Sequence, residues 1–191
     1  MNQKNLLDVD WSRIPAPTDD GAADHLVGMT VPPVSLLATD DTAVTLSALP
    51  GRTVVFAYPR TGEPGKISLV DDWDMIPGAR GCTPQTCSFR DLFAELKAAG
   101  AEQVFGLSTQ SNTYQTEMAS RLHLPFPVLS DEKLGLTRAL NLPTMEVADL
   151  VLIKRLALIV DDGRITHVFY PVFPPDRNAG DVLEWLKENR R

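Results

Sequence analysis

A three-layer α/β domain built around a mixed β-sheet is the fold class this sequence predicts, and three observations carry the expectation. From residue 53 onward, short apolar runs of strand length alternate with amphipathic stretches of helix length. Near the end, two apolar runs are joined by Asp161-Asp162-Gly163, a turn that closes an antiparallel hairpin. Two further short apolar pieces precede the first alternation, so a β-hairpin extension leads into the sheet. At 191 residues and 43% hydrophobic content, the chain has material for one domain with a substantial core.

The elements follow in order. Residues 1–30, with Pro15, Pro17, Asp19, Asp20 and Gly21 and little periodicity, predict an arm lying over the surface, and residues 31–191 the domain proper. Val34 to Leu37 and Val44 to Leu46 flank Thr39-Asp40-Asp41 and form the hairpin. Thr53-Val54-Val55-Phe56-Ala57-Tyr58 is apolar enough to be a central strand buried on both faces, ended by Pro59. A loop rich in Gly and Pro runs from Arg60 to Gly81, a length that in compact domains goes with function. One helix is expected from Cys82 to Ala99, with Pro84 tolerated in its first turn and Gly100 ending it. Then come a strand at 104–107, a helix at 113–122, a strand at 127–129 and a short helix at 133–140. The hairpin of 150–160 with 165–172 and a helix at 179–188 complete the chain. This is the plan of a thioredoxin-like fold.

Charge and composition exclude several classes of function. A net charge of −7 supplies no basic footprint for a phosphate backbone, so nucleic acid is not an expected partner. No apolar run reaches membrane-spanning length, and Met1-Asn2-Gln3-Lys4-Asn5 leads into polar sequence where a signal peptide needs an apolar stretch. A cytoplasmic location is therefore expected, where a disulfide between the two cysteines would be transient. His25, His123 and His167 have no ligand spacing with one another or with the cysteines, so neither a metal nor a cofactor is expected. Tyr114, Met118 and Leu122 share one helical face and are expected in the core.

The chemistry concentrates at Cys82 and Cys87. On a helical wheel Phe89, Phe93 and Leu96 fall within about 40° of Cys82, which puts that thiol on the inward face. Cys87 is turned from it by roughly 140° and lies ~7.5 Å further along the axis, so a disulfide between them requires the first turns to unwind. A helix N-terminus and a neighbouring arginine, here Arg80, favour a thiolate. Ionisation alone is a weak lever, because lowering a thiol pKa by ~2.5 units raises its thiolate fraction about 30-fold while costing about 13-fold in nucleophilicity. A fast thiolate reaction needs donors aimed at the charge that builds on the leaving atom as well. Gly78 and Gly81 would let backbone approach a small substrate, and Arg155, an arginine inside an otherwise apolar strand, needs a partner. Trp73 and Trp185 suggest no role.

The segment Pro77-Gly78-Ala79-Arg80-Gly81-Cys82-Thr83-Pro84-Gln85-Thr86-Cys87-Ser88-Phe89-Arg90-Asp91 resembles the active-site segment of the peroxiredoxins, nearest the Q-type or bacterioferritin-comigratory group. Supporting matches are Val54 to Pro59, Phe105 to Thr109, Pro127 to Asp131 and Lys154 to Asp161. The resemblance implies a thiol peroxidase reducing hydrogen peroxide and organic hydroperoxides, with Cys82 peroxidatic, Cys87 resolving and Arg155 holding thiolate and peroxide. It also implies a thioredoxin- or glutaredoxin-type reductant and a monomer or homodimer. Where the family pattern has Thr three residues before the reactive cysteine this chain has Ala79, and Met75 stands where the proline belongs. Pro59 does follow the central strand, and with Thr61 and Gly81 it is a candidate for binding substrate, Thr61 being the hydroxyl that the loop would return toward the sulfur. Two other readings fit a cysteine pair: a non-catalytic redox switch or binding module, and a general disulfide oxidoreductase, which the Cys-x-x-x-x-Cys spacing disfavours.

Overall fold

The computed structural model describes residues 9–190. A seven-stranded mixed sheet runs through it in the order β2-β1-β5-β4-β3-β8-β9. The strands are β1 (Ser35–Ala38), β2 (Ala43–Thr45), β3 (Arg52–Ala57), β4 (Gln103–Ser108), β5 (Val128–Ser130), β8 (Leu156–Asp161) and β9 (Arg164–Phe169). β3, β4 and β5 are parallel, whereas β8 adds antiparallel to β3 and the β1–β2 hairpin adds antiparallel to β5. The sheet is therefore the mixed, thioredoxin-like one expected, with the N-terminal hairpin at one edge.

Strand periodicity sorts the core into two layers. Val54 and Phe56 of β3, with Ala157 and Ile159 of β8, face a cluster that takes in Phe89, Leu96, Met118, Val182 and Leu186. Val55, Ala57, Leu156, Leu158 and Val160 face the other way, onto Leu26, Leu36, Leu136 and Leu140. The first layer is roofed by α1 (Cys82–Asp91), α2 (Phe93–Ala98), α3 (Asn112–Arg121) and α5 (Asn178–Glu188), and the second by α4 (Gly135–Leu140) and the incoming chain. Burial on both faces explains why β3 and β8 are apolar except at one end, where buried Arg52 of β3 pairs with Asp161 of β8.

Three expectations change. The helix expected from Cys82 to Ala99 is two, because Leu92 departs from helical geometry (φ −98°, ψ 10°). The strand expected over 150–160 is also two. β7 (Leu150–Ile153) pairs with β6 (Thr144–Val147) in a separate two-stranded sheet, and Lys154-Arg155 forms the break before β8. Arg155 is thus released from a strand's alternation and can turn toward α1. Within the expected arm, Ala23 and Leu26 are core residues, and only the preceding stretch lies over the surface; residues 1–8 fall outside those described.

That surface stretch is tied down at both ends. Trp11 donates to Asp176 at 2.9 Å, and Asp20 accepts from Lys154 at 2.6 Å and Tyr170 at 2.7 Å. The bonds from Lys154 and Tyr170 hold the Asp20 carboxyl well below the usual carboxylate range.

Candidate active site

Cys82 opens α1 at the end of the long loop, in line with a backbone forced into a left-handed turn. Gly81, immediately before it, has φ +105°, where an L side chain is strained. A Cβ there would stand 2.6 Å from Pro175 and 2.7 Å from the Trp11 ring. The glycine is therefore required by the turn and by protein packed against it. Gly78 (φ +80°) has its carbonyl used by Arg155 and lies against Pro17. Packing is thus one demand on both glycines, and Gly81 also lines the hollow over Cys82.

Arg155 organises this turn. It is only 2% exposed, and its Nη2 lies 3.2 Å from Cys82 Sγ, 3.1 Å from the Gly78 carbonyl, 3.3 Å from that of Ala79 and 3.1 Å from that of Arg80. Two hydrogens shared among four acceptors gather the sulfur and three consecutive carbonyls around one nitrogen. Nη1 donates to Gln85 Oε1. Gln85, fully buried one turn into α1, must present its oxygen because a guanidinium only donates, and its amide then donates to Asn178 Oδ1 at 2.8 Å. Arg155 Nε has no hydrogen-bond partner among the described residues. A buried cation with one unmet donor, beside a thiol, is suited to an oxygen ligand.

Cys87 lies five residues on, is buried as well, and does not line the hollow above Cys82. Burial pushes its thiol up from its ordinary value, with Arg90 opposing. Both cysteines are free. With α1 intact, helix geometry keeps their Cα atoms ~8.6 Å apart, beyond the ~7 Å that a disulfide spans.

Above the sulfur is a cavity of about 400 Å³, lined by Cys82, Thr83 and Pro84 of the helix, by the loop from Arg60 to Gly81, and by Tyr114. Thr61 lines it and is buried, its hydroxyl donating to Gln110 Oε1 at 3.1 Å. Its carbonyl accepts from Gln110 at 3.2 Å and from the Tyr114 hydroxyl at 3.0 Å. Pro59 is buried between β3 and this loop. Arg80 turns its charge to Asp74, 3.4 Å away, while lining the cavity. Tyr114 leaves the core face on which Met118 stays buried, because its hydroxyl finds a carbonyl at the cavity wall.

A family model described as Redoxin matches residues 26–183. Peroxiredoxin Bcp of Escherichia coli (strain K12) is 31% identical over 85% of this chain and 96% of its own length. The chain belongs to the peroxiredoxins. A chloroplastic peroxiredoxin Q of Oryza sativa subsp. japonica is 32% identical over 84% of this chain, which spans only 66% of that relative's length. The crystal structure of peroxidoxin BcpB from Mycobacterium tuberculosis superposes with a TM-score of 0.69 at 25% identity, covering 86% of this chain and 98% of the other.

Within this peroxiredoxin, Cys82, Gly81 and Thr61 line one hollow, Arg155 reaches the sulfur from the buried side of the turn, and Cys87 does not line the hollow. Sequence reasoning missed Gln85, which sits inside the quoted motif as a buried amide, and Trp73, which lines the cavity. Nothing in the local sequence distinguishes Trp73 from a core residue.

Proposed function

We propose that this peroxiredoxin is a thiol peroxidase in which Cys82 is oxidised by a hydroperoxide and Cys87 resolves the product. The observation that carries the reading is the Arg155 fork, which donates to the sulfur at 3.2 Å and has a further N–H without a partner. A thiolate at Cys82 attacks the terminal peroxide oxygen. The S–O bond forms as the O–O bond breaks, and the departing alkoxide or hydroxide takes a proton and leaves as alcohol or water. The transition state places growing charge on that oxygen, where the fixed guanidinium is stronger than mobile water because it needs no reorganisation. Thr61, at the cavity wall, is suited to orient the incoming peroxide through its hydroxyl.

The sulfenic acid at Cys82 is then attacked by the sulfur of Cys87, releasing water and leaving a Cys82–Cys87 disulfide. Helix geometry supports unwinding of the first turns of α1 as a condition of this step. A thioredoxin- or glutaredoxin-type dithiol supplies the two electrons that restore both thiols, which suits a reducing compartment such as the cytoplasm. Activity requires no second copy of the chain, as monomer or homodimer.

Rapid mixing of the reduced protein with hydrogen peroxide and with an organic hydroperoxide tests the reading. Peroxide consumption, loss of two hydrogens per chain by non-reducing mass measurement, and faster amide exchange over residues 82–88 on oxidation are expected. Cys82→Ser should abolish consumption, and Cys87→Ser should accumulate sulfenic acid and over-oxidise. Activity above about a tenth in Cys82→Ser would assign the attack to Cys87, and chain-to-chain disulfides alone would remove the intrahelical step.

A further inference from the structure

The cavity over Cys82 is larger than hydrogen peroxide requires. At about 400 Å³ it exceeds by more than tenfold the ~30 Å³ share of a water molecule, and it falls within the size range of sites for small organic ligands. Its walls are of two kinds. Leu69, Trp73, Pro84 and the outermost side chain of the loop, Ile67, which is 97% exposed, are apolar. The charged groups are Arg60, Lys66, Arg80 and Glu63.

These charges differ in how they are satisfied. Lys66 pairs with Glu63, and Arg80 with Asp74. Arg60 has no ion pair among the described residues. Its guanidinium lies 5.1 Å from the centre of the Tyr114 ring, and that ring is held by the hydroxyl's bond to the Thr61 carbonyl at 3.0 Å. Arg60 also borders a second, separate hollow lined by Glu132 and Asp149, and neither carboxylate comes within ion-pair distance of it. Stacking on a ring fixes the plane of a guanidinium while leaving its edge donors unspent, and a planar fork with free donors matches a carboxylate.

Resting on the peroxidase reading above, we propose that Arg60 is a specificity-determining residue that binds the carboxylate of an acid hydroperoxide. The preferred substrate class has three parts in a row: a hydroperoxide at Cys82, an apolar segment against Trp73, Leu69 and Ile67, and a carboxylate on Arg60. The chemistry at sulfur is unchanged, and the alcohol released keeps its acid group. A neutral alkyl hydroperoxide gains the apolar walls but leaves Arg60 to water, so the carboxylate is the source of discrimination.

The test compares a medium-chain aliphatic hydroperoxide ending in a carboxylate with its methyl ester, both below their aggregation concentration. Second-order rate constants for Cys82 oxidation are measured by rapid mixing in the wild type, Arg60→Gln and Arg60→Lys. The acid-to-ester ratio is read within each protein, so a general loss of rate cancels. The ratio is expected to be about fivefold in the wild type at low ionic strength, as for a partly exposed charge pair, and to shrink with added salt. In Arg60→Gln it should fall to about one, with an intermediate value in Arg60→Lys. A wild-type ratio near one, or a ratio that survives in Arg60→Gln, overturns the proposal. If the wild type consumes neither compound and no hydrogen peroxide, it is the peroxidase reading that fails.

Discussion

Replacing Arg155 by Met keeps much of the side chain's length and removes its charge, which separates the two ways a guanidinium can assist Cys82. In the folded protein its Nη2 serves the sulfur and the carbonyls of residues 78, 79 and 80, and Nη1 serves Gln85. Four protein oxygens therefore lose a donor, and at ~1 kcal/mol for each bond the folded state should lose about 3–4 kcal/mol, a large share of the ~5–15 kcal/mol a domain possesses. The variant has to be assayed well below its melting temperature, with its fold checked by circular dichroism. Losing one preorganised donor to a developing oxyanion typically costs about 10²–10³ in rate. The assay is the second-order rate constant for peroxide as a function of pH, carried to the plateau where the thiol is fully ionised. If Arg155 acts on the departing oxygen, the deficit of about 10²–10³ persists on that plateau. A plateau equal to the wild type's would refute that part of the reasoning and leave Arg155 as a thiolate-stabilising group alone.

Three further outcomes follow from the same geometry. Gln85→Met takes from Nη1 of Arg155 its only acceptor among the described residues, leaving a second unmet donor on a cation that is 2% exposed; a loss of about 1.5–3 kcal/mol in urea unfolding and a slower peroxide step are expected, and unchanged values in both would show the contact to be incidental. Gly81→Ala should cost about 2–4 kcal/mol, from its positive φ and from the Trp11 and Pro175 atoms under 3 Å from the new methyl, read as a lowered denaturation midpoint, with a stable variant contradicting the packing described. Burial raises the Cys87 thiol pKa, so below that value Cys87 stays a thiol; alkylation of the reduced protein at neutral pH should label Cys82 before Cys87, the order narrowing as pH rises, and equal labelling at pH 7 would count against an intact helix around Cys87.

The sheet was legible wherever one local rule sufficed. The apolar run Thr53 to Tyr58 could only be a strand covered on both faces, and Asp162-Gly163, both at positive φ, is the turn chemistry that a tight hairpin demands. β6 was not legible because its turn uses Ala148-Asp149, both at positive φ, and alanine is not a residue that turn rules favour there. Cys82 and Cys87 stood out through their motif, and Arg155 through being a charge among apolar neighbours. Its surroundings did not, since three of its acceptors are backbone carbonyls, which every sequence has. Tyr114 shows the opposite failure: helical periodicity assigned it to the core, whereas one carbonyl, on Thr61, 53 residues earlier in the chain, draws its hydroxyl to the cavity wall.

The clasp over Gly81 also orders events in time. Trp11 comes from the beginning of the chain and Pro175 from near its end, and both rest on the turn that presents Cys82. A nascent chain emerging from a ribosome at ~5–20 residues per second displays both cysteines for several seconds before Arg155, and then Pro175, follow them out. During that interval the thiols exist without the cation that directs them, or the ring and proline that close over their turn. The arrangement around Cys82 is therefore completed late in synthesis, and truncated products carry that cysteine without its arginine.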